Sequence, residues 1–367
     1  MAGASNVGID LHDTTMTVSV RDRKGTEVIR KKFPTKVVHQ IREFFSTLEA
    51  PVWCALESVG MYEWLWDFLD PMDFERLMLA DANELRYRAG RRQAKTDRID
   101  AGFLSLLVWR DEVPASFVPD KTTREFRRLC RHWHNASRSL SDLKVRLSWI
   151  LKQHNLPGPR NITGPSAQKW FLAHGHKLSP MAVLTFSQIL ESIEHIERQR
   201  TILRRHLIEF SRMDQFHDDI EIIKTVKGID LVISSIIIAE VADFRRFHSG
   251  EAAGCFSGLT ERTSESAGEV RPGHISKAGS PTLRWALCEA VHCLTRYDPH
   301  ARKVYNRILK NTSCKAEAKV AMARKLMGWL WKMVTTGQPY QPGGANAQPV
   351  RESISGTQES SEDKEAA

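Results

Sequence analysis

Between Thr122 and Leu151 apolar residues return on alternating three- and four-residue steps, through Phe126, Leu129, Trp133, Ala136, Leu140, Leu143, Leu147 and Ile150. That is the a/d spacing of a helix that buries one long stripe against a partner helix, and a strand cannot satisfy it. A second run, Phe186, Ile189, Ile193, Ile196, Leu203, Leu207 and Phe210, keeps the register with Arg200 at one seam position. Pro157, Gly158 and Pro159 break the chain between the two. Two heptad helices joined by a breaker predict a central coiled-coil hairpin, a dimer seam, or both. Trp133, at a seam position, is expected in the core rather than as a platform for stacking bases.

The chain on either side has a different period. Val7 to Leu11 reads as a short apolar strand, and Met16 to Arg21 and Thr26 to Phe33 flank the turn residues Arg23, Lys24 and Gly25. A helix from Thr35 to Leu48, the strand Val52 to Leu56, a Trp-rich helix from Tyr62 to Leu69 and the strand Arg76 to Ala80 follow, and a last helix begins near Thr96. Strands that repeat and then alternate with helices predict a mixed α/β sheet. Downstream, Ile222 to Thr336 reads as largely helical around a Gly- and Ser-rich loop from Gly258 to Gly279. Past Gln338 the composition turns to Pro, Gly, Ser and Glu, which predicts a disordered tail. The boundaries expected are residues 1–112 for an α/β domain, 113–215 for the coiled coil and linkers, 216–338 for a mainly α-helical C-terminal domain, and 339–367 for the tail.

The net charge of +9 is unevenly spread: from Gln341 onward Glu352, Glu359, Glu362, Asp363 and Glu365 oppose only Arg351 and Lys364. The basic excess therefore lies in the body, and its sign suits a polyanion such as DNA or RNA. The most apolar run, Leu231 to Ala242, is short and contains Glu240, so a membrane span is excluded. MAGASNVGID has neither a basic nor an apolar signal region, so a cytoplasmic location is expected. Cys54, Cys130, Cys255, Cys288, Cys293 and Cys314 include no CxxC pair and read as thiols rather than as a zinc site.

Two groups of residues carry chemistry. Asp10 lies on the first strand, Glu57 ends the fourth in ALES, and Asp97 and Asp100 open the last helix of the α/β region in KTDRID, three residues apart and so on one face. If the first and fourth strands are neighbours, Asp10 and Glu57 converge at one end of the sheet. Four carboxylates meeting there repel unless divalent cations bind among them, and hard oxygen ligands suit Mg²⁺ or Mn²⁺, which can assist attack and departure of oxygens at a phosphodiester. Taken singly, Asp97 is also a natural helix cap and Glu57 an ordinary strand end. The competing acids Asp13 and Asp81 are expected in turns. The second group is the serine-rich loop, in which Arg271, Lys277 and Arg284 supply cations for a phosphate. A serine hydroxyl needs such help to attack phosphorus, and the same loop also reads as a grip on backbone phosphates.

The order GIDLH, ALES, KTDRID, GHISKAGSPTLR and AMARKLM resembles the DEDD transposases of bacterial insertion sequences, from Val7 to about Val334. The resemblance implies an N-terminal RNase H-like (RuvC-like) domain with Asp10, Glu57, Asp97 and Asp100 as its metal-binding catalytic tetrad. It also implies a coiled coil and a C-terminal transposase domain with a serine nucleophile. That family commonly carries paired serines before a glycine, where this chain reads Thr263, Ser264, Glu265, Ser266, Ala267, Gly268. Counting back from Gly273 implies Ser266 as the nucleophile, with Ser264 as the alternative. The family further implies donor and target DNA as substrates, a structured bridge RNA as guide, a homo-dimer or tetramer, and association with the bacterial nucleoid. Arg128, Arg131 and Arg138 on the first heptad helix, with Arg271, Lys277 and Arg284, are the expected nucleic-acid contacts; a solvated helix face is the competing reading for the first three. Two other functions use the same residues: a RuvC-like nuclease or junction resolvase without a covalent intermediate, and a non-catalytic nucleic-acid scaffold.

Overall fold

The computed structural model describes residues 3–88, 101–159, 165–266 and 269–342, with the side chains of 261–274 outside that description. The chain divides into two compact units, Met1–Pro119 and Asp120–Ala367.

In the first unit β1 (Ser5–Leu11), β2 (Thr15–Arg21) and β3 (Glu27–Pro34) run as an antiparallel meander, α1 (Val38–Ser46) crosses to β4 (Val52–Glu57), and α2 (Tyr62–Leu69) crosses to β5 (Arg76–Ala80). Then come α3 (Ala82–Arg88), α4 (Ala101–Trp109) and the two-residue β6 (Ala115–Ser116). The sheet order is β3-β2-β1-β4-β5-β6, so β1 and β4 are parallel neighbours. Strand periodicity divides the side chains between two cores. Val7, Ile9, Leu11, Cys54 and Leu56 pack with Phe44, Leu65 and Leu69 of α1 and α2, whereas Trp53, Ala55 and Ala80 pack with Leu85, Leu104, Leu107 and Val108 of α3 and α4. Gly8 faces α4 at a distance that leaves no room for a side chain: a Cβ there would stand 2.3 Å from both the Ala101 oxygen and the Ser105 nitrogen. The mixed α/β expectation holds.

The second unit opens with α5 (Lys121–Gln153), capped by Asp120, whose carboxylate accepts from the Thr123 amide. After α6 (Pro165–His174), α7 (Pro180–Ser211) returns along it in the opposite direction. Phe126 stacks on Phe210, Arg200 lies 4.8 Å over the ring of Trp133, and Lys144 meets Glu197 at 3.4 Å. Leu140, Leu147 and Leu151 share a core with Phe186, Ile189 and Ile193. The two seams thus face each other within one chain, with Leu143, Ile150, Ile196 and Leu203 only partly buried, and the polar seam residue Arg200 is accounted for by its aromatic partner. Trp133 is 9% exposed and belongs to the core, as expected.

The rest is helical: α8 (Asp214–Lys224), α9 (Leu231–Val241), α10 (Gly250–Phe256), α11 (Pro281–Tyr297), α12 (Pro299–Thr312) and α13 (Lys315–Thr336). The apolar run of the sequence becomes α9, buried on every side, and the end of α5 and of α7 join its core through Phe126, Cys130, Trp133 and Leu207. Among the described residues no helix is long and apolar enough to cross a membrane. The stretch expected to be a loop between Gly258 and Gly279 is instead a β-hairpin of β7 (Glu261–Ser266) and β8 (Glu269–Ile275). Its strands carry Glu, Arg, Thr and Ser in place of an apolar alternation, so the period-two signal is absent from the sequence. Most of the tail, residues 343–367, lies outside the described residues.

Candidate functional site

Parallel pairing sets Ile9 opposite Leu56, and the next residue on each strand is Asp10 and Glu57. The condition required by the sequence, that the first and fourth strands be neighbours, is met. Asp10 is mostly buried and its Oδ2 lies 3.2 Å from His12 Nε2. Glu57 is half-buried, and its carboxyl is held above the usual range. Burial is the largest cause; Arg86 of α3 opposes it, the charge of Asp10 adds to it, and His12 opposes it. Two acids at a partly dehydrated strand end are a cost that a bound cation relieves, so the donor set fits a hard divalent metal. Among the described residues no cluster of three or more His, Cys, Asp or Glu that would hold a metal forms. Asp97 and Asp100 lie outside the described residues.

Asp81 and Asp13 do sit in turns. The Asp81 carboxylate accepts the amides of Asn83 and Glu84, both at 2.9 Å, and so starts α3, while Asp13 lies in the turn that His12 closes by donating its amide to Thr15. His12 and Arg86 are the site neighbours that sequence reasoning passed over. His12 is two residues from Asp10, a spacing that strand periodicity turns into a shared face; Arg86 reaches the site only through the crossover from β5, which leaves no local signal.

In the second unit Ser266 is the last described residue of β7 before the hairpin tip and pairs with Glu269, and Ser264 pairs with Arg271. Main-chain bonds close the base, Ser276 N to Thr260 O at 2.8 Å and Lys277 N to Gly258 O at 3.1 Å. Gly258 has φ +70° and Gly279 approaches so closely that a Cβ would meet the Phe256 oxygen at 2.3 Å. Ser280 then caps α11, with Pro281 in its first turn. Arg284, half-buried, donates from Nη1 to the Gly279 oxygen at 2.5 Å, and Lys277 is exposed. The side chains of Arg271, Ser264 and Ser266 are outside the described set.

Arg131 grips the buried Glu240 of α9 with Nε at 2.7 Å and Nη2 at 2.8 Å, and Arg127 donates to the Ala239 and Glu240 carbonyls. Arg128 and Arg138 are exposed. The six cysteines are unbridged.

Two family models match the chain. A transposase model of the DEDD, IS110 type matches residues 7–156, and the model of the IS116/IS110/IS902 transposase family matches residues 220–306. Among curated proteins, a putative transposase of Sinorhizobium fredii is 31% identical over 34% of this chain and 33% of its own length. A probable family 20 transposase of Pseudomonas aeruginosa is 26% identical over 45% of this chain and 48% of its own. The transposase for insertion sequence element IS1328 of Yersinia enterocolitica is 22% identical over 79% of this chain and 83% of its own. The chain thus spans half or less of the first two relatives' length.

Proposed function

Because the chain belongs to the IS116/IS110/IS902 family of transposases, we propose that it cleaves and rejoins the DNA of an insertion sequence, with a carboxylate tetrad in its first unit and a serine nucleophile in its second. The observation that carries this reading is the pairing of Asp10 with Glu57 at the end of β1 and β4, where the Glu57 carboxyl is raised by burial and by its acidic neighbour. Asp97 and Asp100 complete the tetrad. In support, α4 begins at Ala101, directly after Asp100 in sequence, and Ala101 packs on Gly8, two residues from Asp10. These four residues would hold Mg²⁺ or Mn²⁺, which when bound lowers the cost of charge on the attacking and leaving oxygens. His12 orients the Asp10 carboxylate, and Arg86 offsets part of the negative charge beside Glu57.

In the second unit the Ser266 hydroxyl attacks phosphorus. An Oγ–P bond forms as one bridging P–O bond of the DNA breaks, and the hydroxyl proton leaves with the departing oxygen. The phosphodiester energy is kept in the phosphoserine, and attack by a second strand's hydroxyl reverses the step without ATP. Arg271, Lys277 and Arg284 neutralise the phosphate. Arg128 and Arg138 contact nucleic-acid backbone, including a structured bridge RNA, while Arg131 is held by Glu240. The packed α5 and α7 act as a coiled-coil arm in a dimer or tetramer.

A denaturing gel with labelled flanking DNA tests the serine directly. Wild type should give a covalent adduct mapping to Ser266, Ser266→Ala none, and Ser264→Ala a measurable amount. Recombination without any adduct in the wild type overturns the mechanism in favour of a metal-dependent nuclease.

A further inference from the structure

The sequence of α4, AGFLSLLVW, has no polar face, and Ser105 is its one hydroxyl. Apolar burial is non-directional, so by itself it leaves the rotation and slide of such a helix on a sheet open. Directional contacts close that freedom, and they gather at the first turn. Against β1, the Ala101 oxygen and the Ser105 nitrogen occupy the space that a Cβ on Gly8 would need. Against β2, Arg21 donates from Nε to the Ser105 hydroxyl at 3.1 Å and from Nη2 to the Gly102 carbonyl at 3.3 Å. The buried hydroxyls of Ser105 and Ser19 lie 2.9 Å apart, and Ser19 donates to Glu27 Oε1 at 3.0 Å. With one proton on each hydroxyl, these bonds can run in a single direction, from the Arg21 guanidinium through Ser105 and Ser19 to the Glu27 carboxylate.

A buried polar network of this kind costs desolvation and returns a fixed geometry. The last turn of α4 is held differently: the Trp109 ring lies against Gly25, and its Nε1 donates to the Arg23 carbonyl at 3.2 Å. Covalent order decides which end matters to the carboxylates. Asp100 is bonded to Ala101, and Gly8 stands two residues before Asp10 on β1. The first-turn anchors therefore act on the chain that leads into Asp100, whereas Trp109 is about 12 Å away along the helix axis.

We propose that Arg21 is a positioning residue of the metal site: through Ser105 and the Gly102 carbonyl it fixes the start of α4 on the sheet, and with it Asp100 relative to Asp10. A guanidinium is a cation and no metal ligand, so Arg21 acts only through α4. The assignment rests on the reading that Asp10 and Asp100 hold one divalent metal.

Mn²⁺ binding to the full chain without DNA, followed by electron paramagnetic resonance of the free ion, tests it. Arg21→Met should weaken binding about ten-fold, the ordinary cost of losing a residue that orients a ligand. Charge alone predicts the opposite sign, because taking a cation away from a cation site strengthens that site. Arg21→Lys keeps the charge but cannot serve Ser105 and Gly102 together, so it should recover only part of the affinity. Trp109→Phe, which loses the bond at the other end of α4, should lower the melting temperature and leave Mn²⁺ binding at the wild-type value. If Arg21→Met melts early, Ser105→Ala, which keeps Arg21 beside Glu27, carries the test with a smaller loss in the same direction. Unchanged or tighter Mn²⁺ binding in either variant, once folded, overturns the proposal, as does an equal loss in Trp109→Phe. Asp100→Ala separates the two readings: if it binds Mn²⁺ as wild type does, or if wild type binds none, the tetrad reading fails and takes the proposal with it.

Discussion

At the end of β1 and β4 the protein holds two acids side by side, one of them half-buried with its carboxyl raised, while at the base of the β7–β8 hairpin Arg284 lies against main chain pinched by glycines. The paired acids are unfavourable in the isolated chain, because each disfavours the other's charge, whereas Arg284 is shifted mainly by its own burial. A small hard cation would relieve the first. Elsewhere a buried acid is paired with a cation, as Glu240 is with Arg131. A partly buried acid left beside another acid marks a candidate ligand site, whereas one paired with a cation serves stability.

The largest effect expected from breaking this contrast is at Asp10. Asp10→Ala should cut DNA strand cleavage by about ten thousand-fold or more while leaving DNA affinity within error. Full cleavage by this variant, assayed on labelled DNA with Mg²⁺, would remove the acid half of the comparison.

Next in size is Leu140→Glu, which sets a charge in the buried seam between α5 and α7 and should cost about 4 kcal/mol of stability. Thermal melting and light scattering read it together. Normal melting with a lost oligomer would mean that the seam faces another chain instead of its own.

Gly8→Ala should cost about 3 kcal/mol, because the new Cβ meets two backbone atoms of α4 that cannot yield as a side-chain tip would. Cleavage should fall along with stability, although no acid is touched; a melting temperature equal to wild type would contradict the close packing. Arg131→Ala comes after it, at about 2 kcal/mol, since Glu240 keeps only Arg127 nearby. Its salt slope for DNA should stay at the wild-type value.

The smallest effect concerns Glu57. Its folded carboxyl is raised, so the folded protein binds that proton more tightly than the unfolded chain, and stability is lost as pH rises through the interval above the ordinary glutamate range. With chelator present, Glu57→Gln should therefore melt up to about 2 °C higher than wild type at neutral pH. The advantage should vanish below about pH 4, where the wild-type side chain is protonated. A variant less stable at neutral pH would mean that Glu57 is a structural residue.

What the sequence determined by itself was whatever repeats or is local. Heptad steps marked α5 and α7, and apolar strands marked β1 and β4. The convergence of Asp10 with Glu57 was legible as a condition on strand order, because two parallel strand ends meet only if the strands are neighbours. Tertiary structure alone decided that order, with β4 beside β1 and not beside β3. It also brought the two seams against each other within one chain, which spacing could not foretell, since heptad spacing is the same for a hairpin and for a dimer. The serine segment became a hairpin without an apolar pattern to announce it, and Arg86 and Arg324 reached their neighbours through helix packing between residues far apart in sequence. Spacing along a chain records the face a residue shares with its near neighbours; which distant face comes to meet it is set by the burial of whole helices and strands, and no local pattern encodes that.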